Sequence, residues 1–447
     1  MKTPVYDFVK KYSKSKAIRL HMPGHKGRGV LGVEKLDITE IQGADSLYEA
    51  SGIIFQSEKA AGEIFGAKTF FSTEGSSLCI RAMLALVQEF AKSERKTLKI
   101  LAGRNAHKAF LSGVALLDLD VEWLYGKKDE GYLCCDVLAE DIEKILENKE
   151  KDELFAVYLT SPDYLGNRLD IEKISFVCKK FGALLLVDNA HGAYLKFLSK
   201  SEHPIDLGAD LCCDSAHKTL GVLTGGAYLH VNEKSPQALW KNAKSTLSTF
   251  GSTSPSYLIL ASLDLANKNL ANAYGKRLTA ILNEISKSRE NLEKHGYVFA
   301  SNEPLKWTIE TKKYGYFGHN LAEILQKYGV FCEFADPDYL VFMFSANTSK
   351  KDLKRVEKAL QKVEKRQKIE EIAPAVFCSE KVMNIREAYF SASEEISAND
   401  AEGRILATPS VSCPPAVPIL ACGEKIGKEA ISAFAYYGVK TVRVVKK

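Results

Sequence analysis

The sequence predicts an α/β protein built on a mostly parallel sheet, and three observations carry that prediction. The chain has 447 residues, 46% of them hydrophobic, enough to bury a large core and to form two domains that share a site. From about residue 60 to 232, short apolar runs alternate with longer amphipathic ones, the pattern of successive βαβ units. Polar residues follow directly on several of these runs, at the edge where open α/β sheets bind their ligands.

The strands are expected at "TLKILA", "DVEWLY", "LFAVYLT", "ALLLVD", "DLCCD" and "GAYLHV", each a short, mainly apolar run. Between them, "SSLCIRAMLALVQEFAK" is apolar nearly all round and predicts a buried helix. "IEKISFVCKKFG" shows a lysine-rich outer face and a glycine stop. "STSPSY" interrupts a helical region at Ser252–Tyr257, after which a long helical pattern runs from Tyr257 to Gly296. The last part mixes a strand, "YLVFMFS", with a charged helix, "SKKDLKRVEKALQKVEKRQKIEE", and a Pro-rich segment, "SCPPAVPILACGE". No repeat or low-complexity tract is present.

Composition narrows the function. A net charge of +5 from 61 basic and 56 acidic residues, well mixed along the chain, gives no basic patch for nucleic acid and no membrane-seeking face. Ten cysteines lack any CxxC or finger spacing, which fits reduced thiols in the cytoplasm. The start, "MKTPVYDFVKKYSKSKAIRL", has no signal-peptide core, and no apolar run approaches the ~20 residues of a membrane span. There is no GxGxxG after a strand and no GxxxxGK[ST]. His21 and His25 are separated by Pro23 and Gly24, which forbid a helical metal pair, so no metal is expected.

What remains points to pyridoxal phosphate. Asp188 closes "ALLLVD" and Lys218 follows the next strand, so both fall at one sheet edge. A lysine amine can form a Schiff base with the cofactor aldehyde, and a carboxylate can keep the pyridine nitrogen protonated. Taken singly, a lysine is usually solvated and a strand-end aspartate usually a cap. "STEGSSLCIRAML" opens a helix with Gly75, Ser76 and Ser77, whose amides and hydroxyls suit a phosphate, although serine there is ordinarily an N-cap. Ser215 could reach the same anion. His107, His191 and His217 belong to the same edge, and a histidine there could stack on a pyridine ring or simply fill a core.

Together with "RLHMPGHKG", "LDITEIQGADSLYEASGII", "RNAHKAF", "LLVDNAHGAY", "DSAHKTLGVLTGGAYLH", "STSPSYLILASLDLA", "REAYFSASEEISANDAEGRI" and "CPPAVPILACGE", these stretches resemble, in order, the motifs of the Orn/Lys/Arg decarboxylase family. That family belongs to the aspartate-aminotransferase-like PLP enzymes of fold type I. The resemblance runs from about residue 15 to 430. It implies a mostly parallel seven-stranded sheet flanked by helices, with a smaller α+β C-terminal domain. The division would be an N-terminal segment at 1–55, a large PLP-binding domain at 56–265 and a small domain at 266–447.

The resemblance also implies roles. Lys218 looks like the Schiff-base lysine, Asp188 the partner of the ring nitrogen and His107 the stacking histidine. Gly75, Ser76, Ser77 and Ser215 resemble phosphate ligands, with His217, Ala190 and His191 as further cofactor contacts. Ser252 matches a position that reaches the neighbouring subunit's phosphate, which implies a homodimer with shared active sites. The length is that of short family members without an extra N-terminal domain. The implied reaction is decarboxylation of arginine, lysine or ornithine, a step of polyamine biosynthesis in the cytoplasm. Transamination or Cα–Cβ lysis on the same fold, or an idle PLP-fold binding protein, are the alternatives.

The chain departs from the family pattern in places. Glu74 stands where relatives often carry Asn and is expected to turn outward; Cys413, Ala416 and "ACGE" replace common residues near the end. The distal cation of the substrate needs an acidic partner, for which Glu424, Glu387 and Asp163 are candidates. Arg386 and Arg404 are the arginines to examine for the carboxylate clamp of an aminotransferase.

Overall fold

The computed structural model describes residues 1–126, 131–301, 303–408, 411–413 and 417–446, with backbone only for 411–413. Ala416 therefore lies outside the described residues, as does the side chain of Cys413. Seven strands form the main sheet: β1 (Lys68–Ser72), β2 (Thr97–Gly103), β3 (Val121–Leu124), β4 (Glu153–Thr160), β5 (Leu184–Asp188), β6 (Leu211–Asp214) and β7 (Ala227–Val231). Their order is β1-β7-β6-β5-β4-β2-β3. The pairs β5–β6 and β2–β3 are parallel and β7 runs antiparallel to both neighbours, within a sheet that is mostly parallel.

Six of these strands fall on the apolar runs read from the sequence. β4 and β5 are unbroken apolar runs because their residues are buried on both faces, as a sheet covered on both sides requires. β1, "KTFFS", is the addition; its register against β7, from Lys68 opposite Val231 to Ser72 opposite Ala227, is set by pairing and not by a strong run of its own.

The chain divides into two compact units, each assembled from two separate stretches: Met1–Leu98 with Ile171–Leu278, and Lys99–Asp170 with Thr279–Lys447. In the first unit the helix Gly75–Ser93 is buried along most of its length, as its apolar composition predicts. The buried Asp264 carboxylate anchors the start of the chain, accepting the Tyr6 amide at 3.0 Å and the Ser57 hydroxyl at 2.6 Å. The long helical pattern after Ser256 is two helices, Tyr257–Asn272 and Tyr274–Lys294, broken at Ala273. Tyr274 turns inward at the break, and its buried hydroxyl donates to the Thr219 carbonyl at 3.1 Å.

The second unit carries a smaller antiparallel sheet of β8 (Lys306–Glu310), β9 (Phe334–Ala335) and β10 (Tyr339–Met343), ordered β8-β10-β9. The charged helix stops at Gln361, ten residues before the pattern that suggested it ends at Glu371. Two phenols intercept the carbonyls that would extend it: Tyr314 donates to Val363 at 3.1 Å and Tyr316 to Glu364 at 2.8 Å. Beyond them, the amides of Arg366 and Ile369 bond to the carbonyls of Tyr314 and Lys312, an extended path that replaces helix.

Candidate active site

The first unit gathers most of the residues singled out from the sequence. β5 ends on Asp188, 2% exposed, and β6 ends on Asp214, after which Ser215 leads into the short helix Ala216–Thr219 that carries His217 and Lys218. Parallel pairing sets Asp188 opposite Cys213, so both strands deliver polar groups at the same edge. The segment before β7 must pass close to the loop after β1. Gly225 has φ +96°, and a Cβ there would lie 2.7 Å from the Thr73 carbonyl oxygen. Its own carbonyl accepts the Gly75 amide at 2.7 Å, so the two loops are stitched by backbone.

Ser215 Oγ lies 2.9 Å from Ser76 Oγ, which brings two hydroxyls together at the N-terminal end of the helix Gly75–Ser93. Gly75, with φ +71°, would meet nothing within 4 Å if it bore a Cβ. Ser77 is half-buried in the same first turn. A helix N-terminus and paired hydroxyls beside open space form a cradle that fits a phosphate. Lys218 Nζ donates to His191 Nε2 at 2.9 Å, and His217 Nδ1 donates to the Gly226 carbonyl at 3.0 Å. Asp188 Oδ1 accepts the Ala190 amide at 3.1 Å and the Cys213 thiol at 3.5 Å, which fixes its carboxylate at the strand end.

Behind this edge lies a network that carries no sequence signal, because its members come from three separate segments. Asp214 is fully buried; Oδ2 accepts His203 Nε2 at 3.0 Å and His230 Nε2 at 3.2 Å, while Oδ1 accepts Asn189 Nδ2 at 2.7 Å. Burial alone would raise its pKa, yet the two imidazoles outweigh that and hold the carboxyl well below the usual range. His203 Nδ1 accepts the Ile205 amide at 3.4 Å, which leaves its Nε2 to donate to Asp214 in this arrangement. Asn189 also donates its amide to the Cys213 carbonyl at 3.0 Å and thereby ties the residue after Asp188 to β6.

Glu74 is exposed, as its position suggested, but it is engaged: Oε1 accepts the Ser252 amide at 2.6 Å within the same chain. Tyr48 reaches this corner as well, with a buried hydroxyl beside Gly251. Burial first, then the neighbouring Glu74 charge, push that phenol up to about 12. Nothing in the sequence marked Tyr48.

His107 belongs to the second unit, where it caps the helix Lys108–Leu117 with Nδ1 accepting the Ala109 amide at 3.1 Å. The three carboxylates considered for the distal cation are all committed there. Glu424 Oε2 accepts Arg104 Nη2 at 3.1 Å and the Ala421 amide at 2.8 Å, deep in the unit. Glu387 closes a capping box with Asn384. Asp163 Oδ1 accepts the amides of Gly166 and Asn167, both at 2.8 Å. Both arginines are occupied too: Arg386 donates to the carbonyls of Ala115 and Leu116, and Arg404 to Glu394 and the Val445 carbonyl.

A mostly parallel sheet with lysine, carboxylate and anion cradle at the ends of its strands defines a pyridoxal-phosphate enzyme of fold type I. Residues 3–309 match the model of the Orn/Lys/Arg decarboxylase major domain, and residues 369–442 that family's C-terminal domain. The chain is 28% identical to an arginine decarboxylase of Bacillus subtilis over 466 residues, covering 96% of this chain and 92% of that one. Among solved structures, the Francisella novicida lysine decarboxylase LdcF superposes with a TM-score of 0.79 at 15% identity, covering 99% of this chain and 81% of that one. A structure of SPT with bound PLP superposes with a TM-score of 0.57 at 13% identity, covering 71% and 79%. The chain belongs to the Orn/Lys/Arg decarboxylase family. Its activity is the PLP-dependent decarboxylation of a basic amino acid. Among the described residues, no helix is long and apolar enough to cross a membrane.

Proposed function

We propose that the substrate is arginine, that Lys218 bears the cofactor, and that the enzyme works as a cytoplasmic homodimer supplying polyamine biosynthesis. One observation carries the residue assignment: Lys218, the buried Asp188 and the Ser76–Ser215 pair stand within one unit at the ends of adjoining strands. The arginine decarboxylase relative supports arginine over lysine and ornithine.

Nζ of Lys218 would hold the cofactor, and the Asp188 carboxylate, already oriented by Ala190 and Cys213, would face its ring nitrogen. Gly75, Ser76, Ser77 and Ser215 would hold its phosphate, Ala190, His191 and His217 would line it, and His107 would stack on the ring. Ser252 would reach the phosphate from the partner subunit. When bound, PLP supplies the electron sink that accepts the pair released as CO2 departs. The Asp188 carboxylate, facing the ring nitrogen, would keep that sink effective. Nζ of Lys218 returns a proton to the substrate Cα, with His217 as the alternative donor; His191 Nε2, at 2.9 Å, is positioned to recharge Nζ. Residues 1–55, 56–265 and 266–447 serve as N-terminal segment, cofactor domain and small domain.

Incubation of the cofactor-loaded enzyme with arginine, lysine and ornithine in turn tests this. Amine and CO2 in equal amounts, fastest from arginine and without a 2-oxo acid, are expected. A 2-oxo acid formed in proportion to substrate use would overturn the reaction, and faster turnover of lysine or ornithine would overturn the substrate.

A further inference from the structure

The second unit holds a cavity of about 380 Å³, lined in part by the turn that joins β9 to β10 and by the extended stretch after the charged helix. It is far larger than a water site and within the range of small-molecule pockets. Its walls are Leu133, Leu165 and Ile369 with the rings of Tyr132 and Tyr339, and its rim is charged.

The charges do not cancel. Five carboxylates and three lysines line the cavity, leaving an excess of two negative charges. Each lysine is already matched: Lys312 Nζ with Asp338 at 2.9 Å, Lys313 with Glu310 at 2.7 Å and Lys368 with Glu370 at 3.0 Å. That leaves the carboxylates of Asp336 and Glu371 without a salt bridge of their own among the described residues, although Lys312 lies near enough to act on Asp336 and donates to the Glu371 backbone carbonyl at 2.9 Å.

Asp336 is the more informative of the two. It is only 5% exposed, and Oδ1 is fully used, accepting the amides of Asp338 at 2.8 Å and Tyr339 at 2.6 Å to close the turn. Oδ2 accepts from no described residue and is not sealed from the cavity it lines. Burial first, then the neighbouring Asp338 charge, push the carboxyl up to about 7, and those amides and the nearby Lys312 charge offset this only in part. A metal ion would need three or more ligand atoms converging on a point. The one such group among the described residues is His203, Asp214 and His230, in the other unit. Two acids facing an apolar-walled cavity instead suit two cationic groups joined by a hydrocarbon stem.

We infer that this cavity is a binding site for a small aliphatic dication, with one cationic end on Asp336, the other on Glu371, and the stem against Leu133, Leu165 and Ile369. Such molecules are the chemical class that decarboxylation of a basic amino acid releases. The ligand is therefore either the enzyme's own product or an amine formed by another reaction.

Calorimetric titration of the cofactor-loaded full chain tests the site, with agmatine and 1,4-diaminobutane as dications and butylamine as monocation. Asp336→Asn keeps the Oδ1 acceptor of the turn and removes the charge; Glu371→Gln removes the charge at an exposed residue. Each substitution should weaken diamine binding about tenfold while leaving decarboxylation without added amine unchanged. Butylamine should bind at least about tenfold more weakly than diaminobutane. Tighter agmatine binding would identify the enzyme's own product as ligand, tighter diaminobutane binding an amine from elsewhere, and both sustain the site. Diamine binding of equal strength in wild type and both variants, or butylamine matching diaminobutane, would overturn it.

Discussion

Nζ of Lys218 lies 2.9 Å from Nε2 of His191, so the amine assigned to the cofactor has an imidazole within proton-exchange distance. Lys218→Ala should abolish turnover and the visible absorbance of the lysine-linked cofactor, while some PLP remains held by the phosphate cradle. An absorbance spectrum identical to wild type would reject the assignment.

Asp188→Asn preserves an acceptor for the Ala190 amide and removes the negative charge. Cofactor should still bind, with kcat reduced by at least about a hundredfold, because the ring nitrogen loses its charge partner. Steady-state rates near those of wild type would contradict the role.

Ser76→Ala and Ser215→Ala each remove one hydroxyl of a mutually bonded pair. Each should weaken PLP affinity by about tenfold, as expected for a hydrogen bond to a charged group. The double variant should lose less than the product of the two, since the residues touch. Fluorescence titration of the cofactor-free protein measures all three, and unchanged affinity in both single variants would remove the serines from the phosphate site.

Asp214 makes a prediction about pH. Its carboxyl is held below its unfolded value, so the stability it contributes is present above about pH 4 and is lost as pH falls through the folded value. Asp214→Asn should cost about 3–5 kcal/mol at neutral pH by stripping two buried imidazoles and Asn189 of their acceptor charge. Denaturant unfolding from pH 7 down to 3 should show the gap to wild type narrowing below about pH 4. A gap that widened on acidification would show the charge to be a burden.

Arg104 and Glu424, at 5% and 4% exposure, form an ion pair that also draws in the carbonyls of Pro418 and Ile419. Breaking it from one side, by Glu424→Gln, should cost about 3–5 kcal/mol, since a guanidinium is left buried without its counter-charge. Arg104→Met combined with Glu424→Gln should recover part of that loss in the same unfolding assay; full additivity of the two would argue against a coupled pair.

The strands were legible in the sequence where burial on both faces forces an unbroken apolar run, as at β4 and β5. β1 was not, since five residues bounded by Lys68 and Ser72 gain their identity from the antiparallel partner β7. The helix break at Ala273 and the early stop at Gln361 depend on tyrosine hydroxyls meeting carbonyls remote in sequence, which periodicity does not encode. The placement of Asp188, Ser215 and Lys218 at one sheet edge was readable because each ends or follows an apolar run. The partners of Asp214 were not, because His203 and His230 lie on either side of it in segments of unrelated pattern. The same limit applied to Glu424, Glu387 and Asp163: a sequence displays a carboxylate but not the arginine, cap or turn that has already claimed it.

The interleaved composition of the two units sets a timetable for synthesis on the ribosome. Residues 1–98 must wait for 171–278 to emerge before their unit can close, and the intervening 99–170 must wait for everything after 279. A nascent chain halted at residue 170 therefore owns about half of one body, less than a third of the other and the whole of neither, with apolar strand edges exposed to any chaperone or sister chain nearby.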